Sequence, residues 1–326
     1  MEDGRFAGRR VLITGGLGFI GSNLARRLAQ AGAEVAVIDT LAPLYGGNLV
    51  NIQGFEDRVQ VVRADMRESG PLGLLDRVDY VFNLAGTSSH LDSMTDPATD
   101  LDVNCAAHLG FLEACRRLSP EARIVYASTR QIYGRPQALP VTEDHPVHPI
   151  DVNGVHKAAA EAYHLMFHRV YGLRATALRL TNTYGPRMRV KDARQTFLGV
   201  WISRALRGEP FEVWGGEQLR DFTFVEDVVE ALMLAALCDA ADGAAFNLSG
   251  DRVVSLGELA RMLAERSGGC FEVRPFPPER LRIDIGDYHA DDSRFRAATG
   301  WRPRTPLPEG LDLTLDYFRS RLQDYL

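Results

Sequence analysis

The glycines of the segment TGGLGFIG, close to the N-terminus, have the spacing and surroundings of a phosphate-binding turn. Gly15, Gly18 and Gly21 follow the apolar run VLIT and lead into SNLARRLAQAG, which has helical periodicity. Glycines at a strand-to-helix turn let the backbone approach a pyrophosphate, whose charge the helix N-terminus stabilises. Their spacing of three and three differs from the G-x-G-x-x-G form. The segment therefore predicts a dinucleotide site.

Acidic residues follow the next two apolar runs. Asp39 ends VAVID, 24 residues beyond Gly15, where a carboxylate accepts hydrogen bonds from the adenosine ribose and repels a 2′-phosphate. Asp39 therefore predicts NAD as the cofactor in preference to NADP, and a turn role is the alternative. Asp65, after VQVV, is a candidate for the adenine end of the site, with a turn role equally open.

Lysine is rare in this chain. Lys157 and Lys191 are the only lysines, and the other 35 of the 37 basic residues are arginine. An ammonium and a guanidinium differ wherever a compact cation is needed, so each remaining lysine is a candidate for a role that arginine cannot fill.

The elements that must position these residues follow from the hydrophobic pattern. Short apolar runs alternate with amphipathic segments from Arg10 to about Gly172, which predicts an α/β fold with a Rossmann-type, doubly wound parallel sheet. The predicted strands are 11–14, 35–39, 59–62, 80–85, 123–128 and 175–180, and the predicted helices are 18–31, 98–118 and 153–171.

The pattern loosens after Pro186. Helices are predicted near 196–207 and 225–237, and strands at 211–214 and 245–248. We expect a cofactor-binding Rossmann domain over residues 1–180, with returns near 220–250. A smaller, interleaved substrate lobe is expected over residues 181–326.

Composition excludes several classes of protein. The net charge of −6 argues against a nucleic-acid partner and against a polybasic membrane surface. The four cysteines form no close pair and have no histidine at zinc-ligand spacing, so no metal site and no disulfide is expected. No signal peptide and no membrane-length apolar run is evident, and we expect a cytoplasmic protein.

Over nearly its whole length the chain resembles the extended short-chain dehydrogenase/reductases that act on nucleotide sugars. The resemblance lies in TGGLGFIGSNL, the strand-ending Asp39, NLAG (83–86), a Ser-Thr pair ahead of Tyr-Gly, and the helix that carries Lys157. It continues in LRLTNTYGPRM, GGEQLRDFTFVEDVVEAL, RIDIGDYHADDSRF and ATGWRPRTPLPEGL.

The resemblance implies NAD, a nucleotide diphosphate sugar as substrate, and a homodimer. Together with the motifs above it gives these cofactor-binding residues: Gly15, Gly18, Phe19, Ile20, Gly21, Asp39, Asp65, Met66, Leu84, Ala85, Gly86 and Lys157. It gives these substrate-binding residues: Thr87, Asn182, Gln195, Thr196, Arg220 and Arg282. The dimer is expected to pair the helices near 98–118 and 153–171, whose apolar faces include Leu109, Leu112, Ala159, Tyr163 and Met166.

The reaction centre of this family contains a Ser or Thr, a Tyr and a Lys, with the tyrosine four residues before the lysine. Thr129 and Lys157 match that pattern, but Asn153 occupies the tyrosine position. An asparagine amide can bind a hydroxyl or a ketone but cannot take up a proton. The candidates for a replacement base are Lys157, His90, His156 and Tyr133. We expect Thr129, Asn153, Lys157 and His90 to form the catalytic group.

The two residues after Thr129 reduce the number of reactions that this site can catalyse. Dehydratases of this family carry an acid pair there and decarboxylases a glutamate two residues on, whereas this chain has Arg130 and Gln131. Neither side chain can serve as a carboxyl acid or base. The sequence therefore predicts a nucleotide-sugar epimerase that oxidises a sugar carbon transiently and retains its cofactor. A keto-sugar reductase and a nucleotide-sugar-binding protein without turnover are the alternatives.

Overall fold

The computed structural model describes residues 2–45, 47–68, 70–194, 196–277 and 283–326. The strands in these residues are β1 (Arg10–Thr14), β2 (Glu34–Asp39), β3 (Val59–Arg63), β4 (Tyr80–Asn83), β5 (Arg123–Thr129), β6 (Arg174–Leu180), β7 (Asn182–Tyr184), β8 (Phe211–Trp214), β9 (Leu219–Phe224), β10 (Ala245–Asn247), β11 (Val253–Ser255) and β12 (Phe271–Arg274). The α-helices are α1 (Phe19–Gln30), α2 (His90–Thr95), α3 (Pro97–Leu101), α4 (Ala107–Leu118), α5 (Val152–Tyr171), α6 (Phe197–Leu206), α7 (Val225–Leu237), α8 (Leu256–Ser267), α9 (Ser293–Thr299) and α10 (Leu307–Arg319).

Seven of these strands form one parallel sheet in the order β10-β6-β5-β4-β1-β2-β3. The chain runs outward from β1 to β3, then crosses over so that β4 lies on the other side of β1. The sheet therefore has a topological switch point between β1 and β4, where ligands of such folds bind beyond the carboxyl ends of the strands.

Helices cover both faces of this sheet. Successive side chains of a strand point to opposite faces, so Ile13 packs with Leu232 of α7 on one side, and Leu12 packs with Phe111 of α4 and Phe167 of α5 on the other. All five side chains are essentially buried. Burial on both faces explains why the strands are continuous apolar runs without alternation.

The C-terminal elements form a second apolar core beside the carboxyl ends of the main sheet. A three-stranded sheet (β11-β9-β7) and a parallel pair (β8, β12) pack with α6, α8 and α10 around Trp201, Phe211, Phe222 and Leu311. The short strand β10 returns to the main sheet, where it pairs with β6.

The predicted fold class is confirmed, and the structure differs from the predicted elements in two places that matter for the site. The helix predicted over 98–118 is interrupted by a π-helical turn at Asp102–Ala106. The strand predicted over 80–85 ends at Asn83 because the next two amides turn toward the side chain of Thr14. In the part of the chain that the structure describes, no helix is long and apolar enough to cross a membrane.

Candidate active site

A cleft of about 1360 Å³ opens at the carboxyl ends of the parallel strands and is walled on its other side by the C-terminal elements. Small-molecule pockets usually measure about 300–1,000 Å³, so this cleft is larger than a typical pocket for one small ligand. Every predicted site residue that the structure describes lines it: Gly15, Gly18, Phe19, Ile20, Gly21, Asp39, Asp65, Met66, Leu84, Ala85, Gly86, Thr87, His90, Thr129, Asn153, Lys157, Asn182, Thr196 and Arg220. Gln195 and Arg282 lie outside the described residues.

The glycine turn lies against the loop that follows β4. Gly15 has a φ of 67°, and a Cβ added to it would lie 2.9 Å from Ala85 Cα. A Cβ on Gly21 would lie 2.3 Å from the Gly15 carbonyl oxygen, at the first turn of α1. A side chain at either position would clash with backbone, so glycine is required for this close packing. The turn thus presents bare backbone and the N-terminus of α1 to the cleft.

Asp39 is fixed at the end of β2. Its Oδ2 accepts a hydrogen bond from the Leu17 amide at 3.0 Å, and its Oδ1 accepts one from the Leu41 amide at 2.8 Å. Burial raises the pKa of this carboxyl, although the backbone hydrogen bonds oppose the rise. Each carboxylate oxygen has a further lone pair for a ligand hydroxyl.

Asp65 is engaged by a neighbouring cation. Arg67 Nη2 lies 2.6 Å from its Oδ2, and this contact lowers the pKa of the Asp65 carboxyl. Arg67 also lines the cleft. Asp65 is therefore paired with Arg67, and its place at the adenine end of the site stays a prediction.

Lys157 is held by α5 beneath the loop that contains Gly86, and only 9% of its surface is exposed. A Cβ on Gly86 would lie 2.6 Å from Lys157 Nζ, so only glycine leaves room for the ammonium. In the described ranges no carboxylate pairs with Nζ within 4.0 Å, and Nζ lies 5.4 Å from the centre of the Tyr126 ring. Burial lowers the pKa of Lys157 to about 8, against the opposing effect of Asp100. Its protons are available to a ligand, and it gives one up more readily than an ordinary lysine does.

Asn153 lies one helical turn before Lys157, and its amide is oriented by two acceptors. Its Nδ2 donates to the Thr87 carbonyl oxygen at 2.9 Å and to Asp100 Oδ2 at 3.1 Å. The side chain is buried and borders the cleft, and no hydrogen bond to Oδ1 is made by the described residues. Asn153 is therefore built to accept a hydrogen bond from a ligand, not to donate one.

His90 begins α2, which packs against α5 at the cleft. Its Nδ1 lies 3.0 Å from Oδ2 of the buried Asp151, in an ion-pair contact too poorly aligned for a good hydrogen bond. Asp151 also accepts from the Gly154 amide as the N-cap of α5, and from Gln131 Nε2. A histidine beside a fixed carboxylate is a candidate base.

Two of the three predicted threonines, Thr129 and Thr196, cap helical turns. Thr129 Oγ1 accepts from the Gln131 amide at 3.2 Å, which starts the short 3₁₀ turn Arg130–Tyr133. Thr196 Oγ1 accepts from the Leu198 amide at 3.4 Å at the start of α6. Each hydroxyl hydrogen remains available to a ligand.

The arginine side of the cleft combines residues from three segments. Arg220 is buried, donates to the carbonyl of Leu219 at 2.9 Å, and lies 3.5 Å from Asp284. Burial and the nearby charge of Arg130 lower the pKa of Arg220 to about 10. Asn182 Oδ1 accepts from Arg130 Nη2 at 3.1 Å, and its Nδ2 donates to a backbone carbonyl. Two guanidinium groups thus face one region of the cleft.

Two of the alternative bases lie away from the cleft. The hydroxyl of Tyr133 is buried, donates to Asn247 Oδ1 at 2.7 Å and accepts from Arg179. Burial raises the pKa of Tyr133 to about 12, so it is a poor base. His156 Nδ1 lies 2.8 Å from Asp100 Oδ1, and the ring does not line the cleft.

Sequence reasoning missed three buried polar residues in the elements that pack beside Asn153 and Lys157. Asp100, Asn104 and His108 are buried and come from α3, the π-helical turn and α4. Asp100 accepts from Thr87, Asn104 and Asn153, and Asn104 Oδ1 accepts from the Thr87 amide at 3.0 Å. Their spacing of four places them on one side of a helix, which could have identified them as a buried polar stripe.

The cleft fits a dinucleotide on its own geometry. The glycine turn offers backbone where a Cβ would clash, Asp39 offers fixed acceptors, and Lys157 offers an unpaired ammonium. A Rossmann-type sheet with these features at its switch point defines a dinucleotide-dependent enzyme.

Comparison with known proteins identifies the family. The sequence model of the NAD dependent epimerase/dehydratase family matches residues 11–249, and the chain belongs to this family. It is 33% identical over 318 residues to a UDP-glucose 4-epimerase of Mycolicibacterium smegmatis, covering 96% of this chain and 100% of the relative. It is 31% identical over 328 residues to UDP-glucuronic acid decarboxylase 1 of Xenopus tropicalis, covering 97% and 73%. The structure of Thermus thermophilus UDP-glucose 4-epimerase in complex with NAD superposes with a TM-score of 0.84 at 32% identity, covering 95% and 99%.

These similarities confirm the predicted family, the Rossmann-type fold and NAD as the cofactor. They also confirm the prediction of an NAD-dependent nucleotide-sugar epimerase.

Proposed function

We propose that this epimerase inverts C4 of a UDP-linked hexose. UDP is the nucleotide named for the similar epimerases, and C4 is the carbon on which they act. The observation that carries the proposal is the meeting of Thr129, Asn153 and Lys157 in one cleft, without a carboxylate at Arg130 or Gln131. A carboxyl acid or base would be needed there for elimination or decarboxylation.

NAD would be held by the glycine turn, Asp39, the loop Leu84–Gly86 and Lys157. When bound, NAD would supply reversible hydride transfer at the sugar carbon. Asp39 would accept hydrogen bonds from the adenosine ribose, and its charge would exclude a 2′-phosphate. Lys157 would donate to the nicotinamide ribose through an N–H, which the neutral amine also carries.

We assign removal of the hydroxyl proton to Lys157. The ammonium has no carboxylate partner within 4.0 Å in the described residues, and the lowered pKa leaves a useful fraction as neutral amine in mildly basic solution. Thr129 would donate a hydrogen bond to the oxygen as it becomes a ketone, and Asn153 Oδ1 would accept one from a neighbouring sugar hydroxyl. His90 is the second candidate base, because a buried carboxylate lies 3.0 Å from its Nδ1.

The test is a panel of UDP-sugars incubated with the purified protein and followed by NMR. The proposal predicts interconversion of one C4 epimer pair without net consumption of NAD. Loss of turnover in Lys157→Met with retention in His90→Asn supports Lys157 as the base, and the reverse result assigns that role to His90. Failure to convert any UDP-sugar that binds would overturn the proposed reaction.

We also propose a homodimer that pairs α4 and α5 with their copies. Val155, Val170 and Tyr171 on α5 are each about half exposed, at 49%, 62% and 49%. The prediction that Leu112 lies on this surface is wrong: Leu112 is fully buried against the sheet, because its position on α4 faces the main core. Leu109 is only partly buried and remains a candidate for the interface.

A cytoplasmic location is proposed on the basis of the cysteines. All four are free in the structure, and unpaired thiols are typical of a reducing compartment.

A further inference from the structure

Arg130 places a positive charge directly beside the predicted reaction centre. It follows Thr129 at the carboxyl end of β5, and it lines the cleft. Consecutive Cα atoms lie about 3.8 Å apart, so the Arg130 side chain starts beside the residue assigned to the reacting oxygen. Arg130 therefore enters the cleft from the position next to Thr129.

The charge of Arg130 is not neutralised by the protein in the described part of the chain. Its Nη2 donates to Asn182 Oδ1 at 3.1 Å, and its Cζ lies 5.1 Å from the centre of the Tyr288 ring. No described carboxylate lies within the 4.0 Å that defines an ion pair, and Nη1 is buried without a hydrogen-bond partner. A partly buried guanidinium without a carboxylate partner destabilises the folded protein, and an anionic ligand would relieve that destabilisation.

Nearby acids compensate this charge only weakly. Asp221 is fully buried, and burial raises its pKa to about 6, so part of it is protonated near neutral pH. Its Oδ2 already accepts from Ser249 Oγ and from the Ala290 amide, each at 3.1 Å. Asp284 lies closer to Arg220, at 3.5 Å. Of the two arginines on this side of the cleft, only Arg220 has a carboxylate within 4.0 Å in the described residues.

Arg220 and Arg130 come from different elements and could therefore bind different parts of the substrate. Arg220 comes from β9 and lines the cleft together with Trp214, Gln218 and Phe276, on the side of the C-terminal elements. Arg130 lies at the end of the main sheet that holds Thr129. With a diphosphate beside Arg220, Arg130 would be the cation next to the sugar, because it directly follows Thr129 in the chain. In a hexose the substituent nearest to C4 that can be anionic is a carboxylate at C6, attached to the adjacent C5.

We propose that the substrate sugar is a uronic acid and that Arg130 binds its C6 carboxylate. This rests on the proposed nucleotide-sugar epimerase, whose substrate class it makes specific. A planar guanidinium matches a carboxylate bidentately, which explains an arginine here in preference to a small or acidic residue. An acidic protein needs such a local cation to accept a substrate with an additional negative charge.

The test compares binding of UDP-glucuronic acid, UDP-glucose and UDP to the NAD-loaded protein by calorimetry. Wild type should bind UDP-glucuronic acid more tightly than UDP-glucose. Arg130→Met should lose about tenfold to hundredfold in affinity for UDP-glucuronic acid, the usual effect of one charge-assisted contact, and leave UDP-glucose and UDP unchanged. Arg130→Lys should lose part of this preference, because it keeps the charge but not the fork. Arg261→Gln is the matched control, since this exposed arginine lies outside the cleft lining.

Three results would overturn the inference. One is equal wild-type affinity for the acid and the neutral sugar. Another is an equal loss for UDP, UDP-glucose and UDP-glucuronic acid in Arg130→Met, which would assign Arg130 to the diphosphate. The third is an unchanged preference in both Arg130 variants. If circular dichroism shows that Arg130→Met does not fold, the affinities of wild type and Arg130→Lys for UDP-glucuronic acid and UDP-glucose test the inference. Binding that follows the prediction without any epimerisation would contradict the proposed reaction and leave the substrate class supported.

Discussion

Replacing the buried Lys157 with methionine should make the protein more stable and at the same time inactive. The pKa of Lys157 falls from 10.5 to about 8 because burial penalises its charged form. A shift of that size corresponds to about 3 kcal/mol of destabilisation whenever the lysine is charged in both the folded and the unfolded chain. Methionine has a similar length without the charge, so Lys157→Met should raise the free energy of unfolding by roughly that amount at pH 7.

The stability difference between Lys157→Met and wild type should depend on pH. Below the folded-state pKa of about 8 the penalty is fully present. Between that pH and the unfolded pKa of 10.5 the unfolded chain binds the proton and the folded protein does not, so the penalty falls steadily as the pH rises and is lost near 10.5. The stability advantage of Lys157→Met should therefore shrink as the pH rises toward about 10.

Urea unfolding of cofactor-free protein, monitored at neutral and at high pH, measures this effect. The other lysine supplies the control: Lys191 is exposed, and Lys191→Met should change stability by less than about 0.5 kcal/mol. Turnover of Lys157→Met should fall by about 10²–10⁴-fold, the usual contribution of a general base. A variant that is less stable than wild type at pH 7, or one that keeps full turnover, would refute the reasoning.

The remaining predictions concern the cofactor, the nucleotide, the amide and the assembly. Asp39→Ala should relax the preference for NAD over NADP in fluorescence titrations, and a wild type that binds both equally would contradict the role of Asp39. Arg220→Ala should weaken UDP binding by about 1.5–3 kcal/mol and spare NAD, whereas equal losses would make Arg220 structural. Asn153→Ala should sharply reduce turnover with the fold intact, and unchanged turnover would contradict a positioning role for Asn153. Asn153→Tyr should not improve turnover, because the Asn153 side chain is buried against the Thr87 carbonyl and Asp100. Static light scattering at micromolar concentration should give a dimer, and a monomer would count against the pairing of α4 and α5.

The main sheet could be predicted because its signals are local. Each buried parallel strand is a continuous apolar run, and each covering helix repeats its apolar positions with a 3.6-residue period. The C-terminal elements gave weaker signals. Strands such as Asn182–Tyr184 and Val253–Ser255 have three residues each, too few to show a period, and they exist because β9 pairs with both. The division of the chain at residue 180 stays a prediction.

Some residues of the candidate site could likewise be predicted from local sequence, and others could not. The glycine turn and Asp39 belong to one contiguous strand-turn-helix-strand unit, so their meeting in the cleft follows from local sequence. The contact of His90 with Asp151 joins residues 61 positions apart, and no pattern within either segment specifies it. The Asp100 carboxylate that orients Asn153 likewise comes from a separate helix. Such contacts depend on tertiary packing, which sequence periodicity does not encode.

The central claim, inversion by oxidation and return of one hydrogen, is tested most directly with UDP-glucuronic acid and UDP-glucose deuterated at C4. We predict that whichever is the substrate yields the C4 epimer with deuterium still on C4, and that no label appears in water. The sugar carbon loses and regains the same hydride, and only the hydroxyl proton passes through protein groups. Washout of deuterium into water during inversion, or net formation of a keto sugar or a reduced product, would contradict the account.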